Sequence, residues 1–293
     1  MQLGLKLMSS LAIPKILWMY WHQGAEAMPL LIQACVRSWR KLNPDWDLRL
    51  ITAADLPKLA PGLEVLRQRV DIPLQHYSDL LRLELLHAHG GVWADATLLC
   101  VKPLSNWLQL DVNDPFYAFV SGRRDRWMTN WFLAGSSDSA TLCAWRETVL
   151  SFWEGHAFPD QAGWRRRLTR RLMSLRKRGL VSNDIWFSHL VADWLKIWPY
   201  PINMFLFQRA IEHQPSLRQR WLSTSWCRDT EAERLQNHLG IYAPLSAESK
   251  VFLESDATPV HKLNWRIEPE ATATNSNFGW LLERLEITQD AAL

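Results

Sequence analysis

Short unbroken apolar runs alternate with helical spacing through the first hundred residues. Lys15 to Trp21 is a nearly continuous apolar run between Pro14 and the His22-Gln23-Gly24 segment, which predicts a buried strand. Pro29 to Leu42 carries Leu30, Leu31, Ala34, Val36 and Trp39 at helical intervals. Asp47 to Thr52 reads as a second strand and Ala54 to Arg69 as helical. From about Leu74 to His89 the stripe Leu80, Leu81, Leu83, Leu85 and Leu86 predicts a helix that Gly90 and Gly91 stop. Val92 and Trp93 start a third strand, and Leu98 to Val101, ahead of Pro103, reads as its buried continuation. This β-α-β-α-β order predicts an α/β fold with a mostly parallel central sheet.

Later segments are less regular. Phe116 to Val120 and Trp131 to Ala134 read as short strands, Ser139 to Trp153 and Asn183 to Trp198 as helices, and Glu268 to Asn277 as a polar loop. With 293 residues, 48% of them hydrophobic, the chain can build a substantial core. One domain over residues 1–293 is expected, with residues 138–200 as a helical elaboration.

Cys35, Cys100, Cys143 and Cys227 lie far apart without Cys-x-x-Cys spacing, so neither a zinc knuckle nor a disulfide framework is indicated. A reducing cytoplasm is the expected setting. Met1 to Ala12 is too short and weakly patterned for a signal peptide, and no apolar window is long enough to span a bilayer. The net charge of +3 is unevenly spread, with eight Lys or Arg and no acid between Arg165 and Arg178. Leu168, Leu172 and Leu175 give that stretch an apolar stripe. A helix over 164–178 resting on the anionic inner face of a membrane and a solvated helix packed by its leucines both fit this pattern. Nucleic acid ranks last, because no zinc-finger or RRM-like module accompanies the patch.

The candidate chemistry sits around the third strand. Asp79 and Arg82, three apart, share a helix face, and Asp95 falls at the far end of the strand, where ligands dock in open α/β sheets. A routine surface ion pair is the competing reading of the first two, and a loop-capping carboxylate of the third.

Ser78-Asp79-x-x-Arg82, followed by Gly90-Gly91-Val92-Trp93-Ala94-Asp95, resembles the signature of the capsular polysaccharide synthesis family of glycosyltransferases. OCH1-like mannosyltransferases and the glucosylating domains of large clostridial toxins are its relatives. Ile13 to Gly24 is similar to the family's opening strand and Pro259-Val260-His261-Lys262-Leu263 to its closing motif. The resemblance is strong from Ile13 to Leu104 and thin from Trp107 to Gly179. It implies a GT-A, Rossmann-like nucleotide-sugar-binding domain that moves a sugar from a nucleotide diphosphate sugar to a glycan or lipid-linked glycan acceptor, with retention of configuration.

The resemblance also implies roles. Trp21 would stack on the nucleobase, and Trp93, in place of the usual tyrosine, would face the donor or the core. Asp79 would accept sugar hydroxyls, and Arg82 would meet hydroxyls or phosphate. Asp95 would anchor Mn²⁺ or Mg²⁺ on the diphosphate. Thr97 replaces the second acid of an Asp-x-Asp triplet and is a weak, neutral metal ligand, so His261 would help, imidazole suiting Mn²⁺ better. Lys262 would neutralise the departing diphosphate. Asp184, in Asn183-Asp184-Ile185-Trp186-Phe187, resembles an Asp-Tyr-Phe segment of capsular relatives and would orient the acceptor, unless Asn183 or Asp184 simply caps a helix. Thr97 also keeps open a catalytically silent assembly subunit, and a nucleotide-sugar hydrolase would share the same pocket.

Overall fold

The computed structural model describes residues 13–69, 72–156, 163–224, 227–255, 257–267 and 275–287. The expectations for Met1 to Ala12 and for most of Glu268 to Asn277 lie outside those residues. Strands are β1 (Ile16–Tyr20), β2 (Asp47–Ile51), β3 (Gly91–Ala94), β4 (Leu98–Cys100), β5 (Phe116–Val120), β6 (Met128–Gly135) and β7 (Val260–Lys262). Helices are α1 (Leu30–Leu42), α2 (Leu56–Leu59), α3 (Pro61–Arg69), α4 (Leu74–His89), α5 (Ala140–Gly155), α6 (Gly163–Lys177), α7 (Ile202–Glu212), α8 (Pro215–Ser223), α9 (Asp229–Arg234), α10 (Ala247–Glu254) and α11 (Asn277–Arg284).

Five strands form one sheet in the order β2-β1-β3-β6-β5. β1 pairs in parallel with β2 and β3, and β6 pairs antiparallel with β3 and β5, so β6 alone runs against the other four. The fold is therefore α/β with a mixed, mainly parallel sheet, as the alternation of elements predicts. Period-2 alternation divides the core. Trp18, Tyr20, Trp93 and Leu133 face α4, α5 and α7, whereas Leu17, Met19, Val92, Ala94 and Phe132 face α1, α10 and α11. Burial on both faces explains why β1 reads as an unbroken apolar run.

The two glycines after α4 are dictated by packing. Gly91 has φ 102°, and a Cβ there would stand 2.4 Å from the Ile16 carbonyl oxygen. Gly90 has φ 66° and its carbonyl accepts from Trp18 Nε1 at 3.0 Å. Chain reversal and close approach to β1 thus coincide at one dipeptide, which aims β3 and its terminal Asp95.

Three local expectations change. Leu98 to Cys100 does not continue β3; a turn closed by Leu98 N on the Asp95 carbonyl at 2.9 Å carries it out of the sheet, where it pairs antiparallel with β7. Met128 to Gly135 is a longer strand than Trp131 to Ala134, because Thr129 and Asn130 are buried polar members of it. Asn183 to Trp198 is not one helix but a tight 3-10 turn at Asn183–Phe187 and a wide π-helical turn at Leu190–Trp194, split where Ser188 adopts extended backbone. On α6, Leu168, Leu172 and Met173 pack partly buried against the core and leave Arg166, Arg167, Arg170 and Arg171 exposed. No helix among the described residues is long and apolar enough to cross a membrane.

Candidate functional site

One turn of α4 places Asp79 and Arg82 against the sheet, with side chains only 8% and 5% exposed, so the pair is no solvated surface bridge. Arg82 Nη2 lies 3.1 Å from Asp79 Oδ1 and 3.3 Å from Asp95 Oδ1, joining the helix to the end of β3. Its Nε donates to the Ser78 carbonyl at 3.2 Å and its Nη1 to the Asn130 carbonyl. The guanidinium carbon lies 5.2 Å from the centroid of the buried Trp93 ring, and Trp93 Nε1 donates to Asp95 Oδ1 at 2.9 Å.

The closing segment completes the constellation. β7 sits beside β4 with Lys262 opposite Leu98, and Leu263 N donates to the Thr97 carbonyl at 2.9 Å. That register aims Lys262 Nζ at Asp95 Oδ2, 2.8 Å away, and at Thr97 Oγ1, 2.5 Å away. Two carboxylates and two cations therefore form one chain of contacts from Asp79 through Arg82 and Asp95 to Lys262. Burial pushes the Asp95 carboxyl up, but Lys262, Arg82 and the Trp93 hydrogen bond more than offset it and hold the group below the usual carboxylate range. Asp95 is an anion throughout the neutral range, and its side chain is 24% exposed, so the Asp95-Lys262 end is the open end of the cluster.

Residues that the motifs do not flag hold the sealed end. Asn130, on β6, donates to Asp79 Oδ1 at 2.9 Å, and Asn203, in the first turn of α7, donates to Asp79 Oδ2 at 3.1 Å. With both oxygens engaged in the interior, Asp79 holds Arg82 in place instead of presenting an open acceptor to a sugar. The signals available were a polar residue inside an apolar strand and another inside Ile202-Asn203-Met204-Phe205. Tyr200 and Arg266 also belong to this neighbourhood, the Tyr200 hydroxyl lying within electrostatic reach of Asp79, Arg82, Asp95 and Arg266.

Trp21, just beyond β1, meets Trp265 edge to face with ring centroids 5.5 Å apart, which ties the end of β1 to the segment after β7. Its buried Nε1 has no hydrogen-bond partner among the described residues. The structure thus brings together Asp79, Arg82, Trp93, Asp95, Thr97 and Lys262, and places Trp21 against Trp265, three residues beyond Lys262.

It does not bring in His261 or Asp184. Neighbouring residues on a strand point to opposite faces, so the register that aims Lys262 at Asp95 turns His261 away. His261 lies among Val101, Phe252, Leu253, Thr258, Leu281 and Arg284, with its ring 5.9 Å from Phe252. Burial lowers its pKa to about 4, and Nδ1 has no partner among the described residues. Asp184 is exposed and sits 3.6 Å from Arg209. The cap of its turn is Ser182, whose Oγ accepts from Asp184 N, not Asn183 or Asp184.

A divalent cation needs several oxygen or imidazole ligands converging on one point. The donors at hand are one carboxylate and one neutral hydroxyl, both already on the Lys262 ammonium, with a guanidinium on the second carboxylate oxygen. Among the described residues no three His, Cys, Asp or Glu side chains are grouped to hold a metal. The residues present do not fit a metal ion.

A sequence model of the family described as capsular polysaccharide synthesis protein matches residues 5–160. Among curated proteins, the O-glycosyltransferase braB of Annulohypoxylon truncatum is 28% identical over 160 residues, 48% of this chain and 38% of that protein. The initiation-specific alpha-1,6-mannosyltransferase of Saccharomyces cerevisiae is 29% identical over 111 residues, 34% of this chain and 22% of that one. The chain thus spans well under two thirds of the length of these relatives. Among solved structures, the UDP-bound glycosyltransferase domain of the YGT toxin aligns over 83% of this chain and 89% of that one, at 12% identity and a TM-score of 0.44.

Proposed function

The chain belongs to the capsular polysaccharide synthesis protein family, and from that premise we propose that it is a GT-A-type glycosyltransferase that moves a sugar from a nucleotide diphosphate sugar to a glycan or lipid-linked glycan hydroxyl. The observation that carries this reading is the half-open Asp95-Lys262 pair at the carboxyl end of β3, backed by Arg82. Glycosyltransferase relatives add support. An anionic diphosphate would dock against Lys262, while Asp95 would accept hydrogen bonds from donor hydroxyls. Trp21 and Trp265 offer aromatic surface to the nucleobase.

In the reaction the bond from the anomeric carbon to the diphosphate oxygen breaks and its electron pair leaves with the diphosphate. The acceptor oxygen bonds to the same face of that carbon, giving retention, and passes its proton to the departing phosphate oxygen. Lys262 stabilises the charge that develops there, an electrostatic contribution that grows as the bond lengthens. Asp79, Asn130 and Asn203 keep Arg82 positioned. Asp184, on the exposed side of its turn, is proposed only as an acceptor contact.

The test is to incubate the purified protein with a panel of nucleotide sugars, alone and with oligosaccharide acceptors, and follow release of the nucleoside diphosphate. Transfer that Asp95→Asn abolishes supports the proposal. Free sugar as the sole product identifies a hydrolase, and absence of any turnover or donor binding across the panel counts against the proposal; an assembly subunit would keep its cellular role in Asp95→Ala.

A peripheral location is proposed alongside. α6 has no fully buried residue and exposes Arg166, Arg167, Arg170 and Arg171 together with Trp164, a composition suited to the anionic inner face of a plasma membrane.

A further inference from the structure

We propose that Lys262 is the resident cation of this site, so that the protein engages its nucleoside diphosphate without a divalent metal. The inference rests on the glycosyltransferase reading and concerns how that same site handles the charge of its donor.

Lys262 Nζ bridges Asp95 Oδ2 at 2.8 Å and Thr97 Oγ1 at 2.5 Å, the first and third residues of the turn where the family resemblance anticipates a metal. The ammonium therefore occupies the place between these two side chains. It is held there by backbone, because β7 is locked to β4 with Lys262 opposite Leu98 and Leu263 N on the Thr97 carbonyl. The pairing fixes the Lys262 backbone, and the bonds to Asp95 and Thr97 hold the ammonium at the end of its flexible stem.

Charge leads to the same conclusion. Thr97 supplies no negative charge, and the single carboxylate at the mouth carries a cation on each oxygen, Lys262 on one and Arg82 on the other. A divalent ion entering here would have to expel the ammonium and face the guanidinium with one carboxylate in return. The His261 imidazole lies on the opposite face of β7, in a hollow lined by Phe252, Leu281 and Arg284 and away from Asp95.

Chemistry supplies the function. An ammonium has three N–H donors. Two are used on Asp95 and Thr97, and the third is available to a diphosphate oxygen at the open end of the cluster. One group thus binds the donor and neutralises the leaving group.

The experiment uses the full chain freed of metal on a chelating resin. Binding of uridine and guanosine diphosphates is measured by calorimetry in EDTA and in Mn²⁺, and Mn²⁺ itself is titrated with protein while its free-ion magnetic resonance signal is followed. The expected result is nucleotide affinity equal within about twofold in the two buffers and no loss of the free Mn²⁺ signal on adding protein. Lys262→Gln should weaken nucleotide binding about tenfold or more in EDTA, with Lys262→Arg recovering part of it. The paired change Thr97→Asp with Lys262→Ala should create Mn²⁺ dependence. Nucleotide binding by the unmodified protein in Mn²⁺ but not in EDTA would overturn the inference and leave the glycosyltransferase reading standing. Absence of nucleotide binding in both buffers would remove both. The comparison of buffers needs no variant, so a misfolded substitution does not blunt it.

Discussion

Trp153 Nε1 donates to Asn203 Oδ1 at 3.0 Å, and this bond decides which way the Asn203 amide faces. With its oxygen taken, the amide turns its Nδ2 to Asp79 Oδ2. Trp145 reinforces the placement by donating to the Asn203 carbonyl at 2.8 Å. Two tryptophans of α5 thereby orient an α7 side chain that in turn holds the α4 carboxylate beneath Arg82. Asn203→Ala should cost about 2–4 kcal/mol, since it leaves the Trp153 N–H and an Asp79 oxygen buried without this partner. Urea unfolding monitored by far-UV circular dichroism measures the loss. Asn203→Asp should be worse at pH 7 than at pH 4, because the new carboxylate faces Asp79; equal destabilisation at both pH values would contradict this account.

The approach of Gly91 to β1 yields a second expectation. Gly91→Ala puts a methyl 2.4 Å from the Ile16 carbonyl oxygen, on a residue whose φ of 102° already disfavours any side chain. Destabilisation of about 2 kcal/mol or more should follow. Gly155→Ala, at the end of α5 with nothing within 4 Å of the added carbon, should stay within about 0.5 kcal/mol of the unmodified protein. Thermal or urea midpoints of the two variants, compared directly, check the contrast.

His261 gives the stability a pH slope. Its folded pKa, lowered by burial to about 4, lies below the 6.5 of a free histidine. Between these values the unfolded chain binds a proton that the folded chain does not, so this contribution is fully present above pH 6.5 and is lost as pH falls toward 4. The span corresponds to about 3 kcal/mol as an upper figure. His261→Leu should flatten the dependence of unfolding free energy on pH in that window. An unchanged slope would show that the ring is protonated in the folded protein.

His261 and Lys262 also show where the sequence was legible. Both belong to a closing motif matched as one unit, and motif resemblance assigned both to the site, yet a strand cannot aim consecutive side chains at one point. Only the β4 to β7 register says which of the two faces Asp95. The helix Leu74–His89 was readable because its leucine stripe, Gly90 and Gly91 all act locally. Asp79, Arg82, Trp93, Asp95 and Thr97 lie within twenty residues, so one motif placed them together. Asn130 and Asn203 meet Asp79 from 51 and 124 residues away, across contacts that no local pattern encodes. Asp184 illustrates the converse, a local motif whose carboxylate the fold turns outward toward Arg209.

The basic face of α6 gives the last expectation. Leu168, Leu172 and Met173 are used in packing, so an attraction to lipid would come from the outward arginines and from Trp164, which is 51% exposed. Such an attraction is electrostatic in the main and screened by salt, each basic residue near an anionic surface contributing about 1 kcal/mol. The protein should sediment with vesicles containing phosphatidylserine at 0.1 M salt, about the ionic strength at which the screening length is 10 Å, and should be released at several times that concentration. It should ignore vesicles of phosphatidylcholine alone. Arg170→Glu with Arg171→Glu should abolish sedimentation while nucleotide binding, which depends on Lys262 and Asp95, persists. Binding that survives high salt or the charge reversal would place the lipid contact elsewhere on the chain.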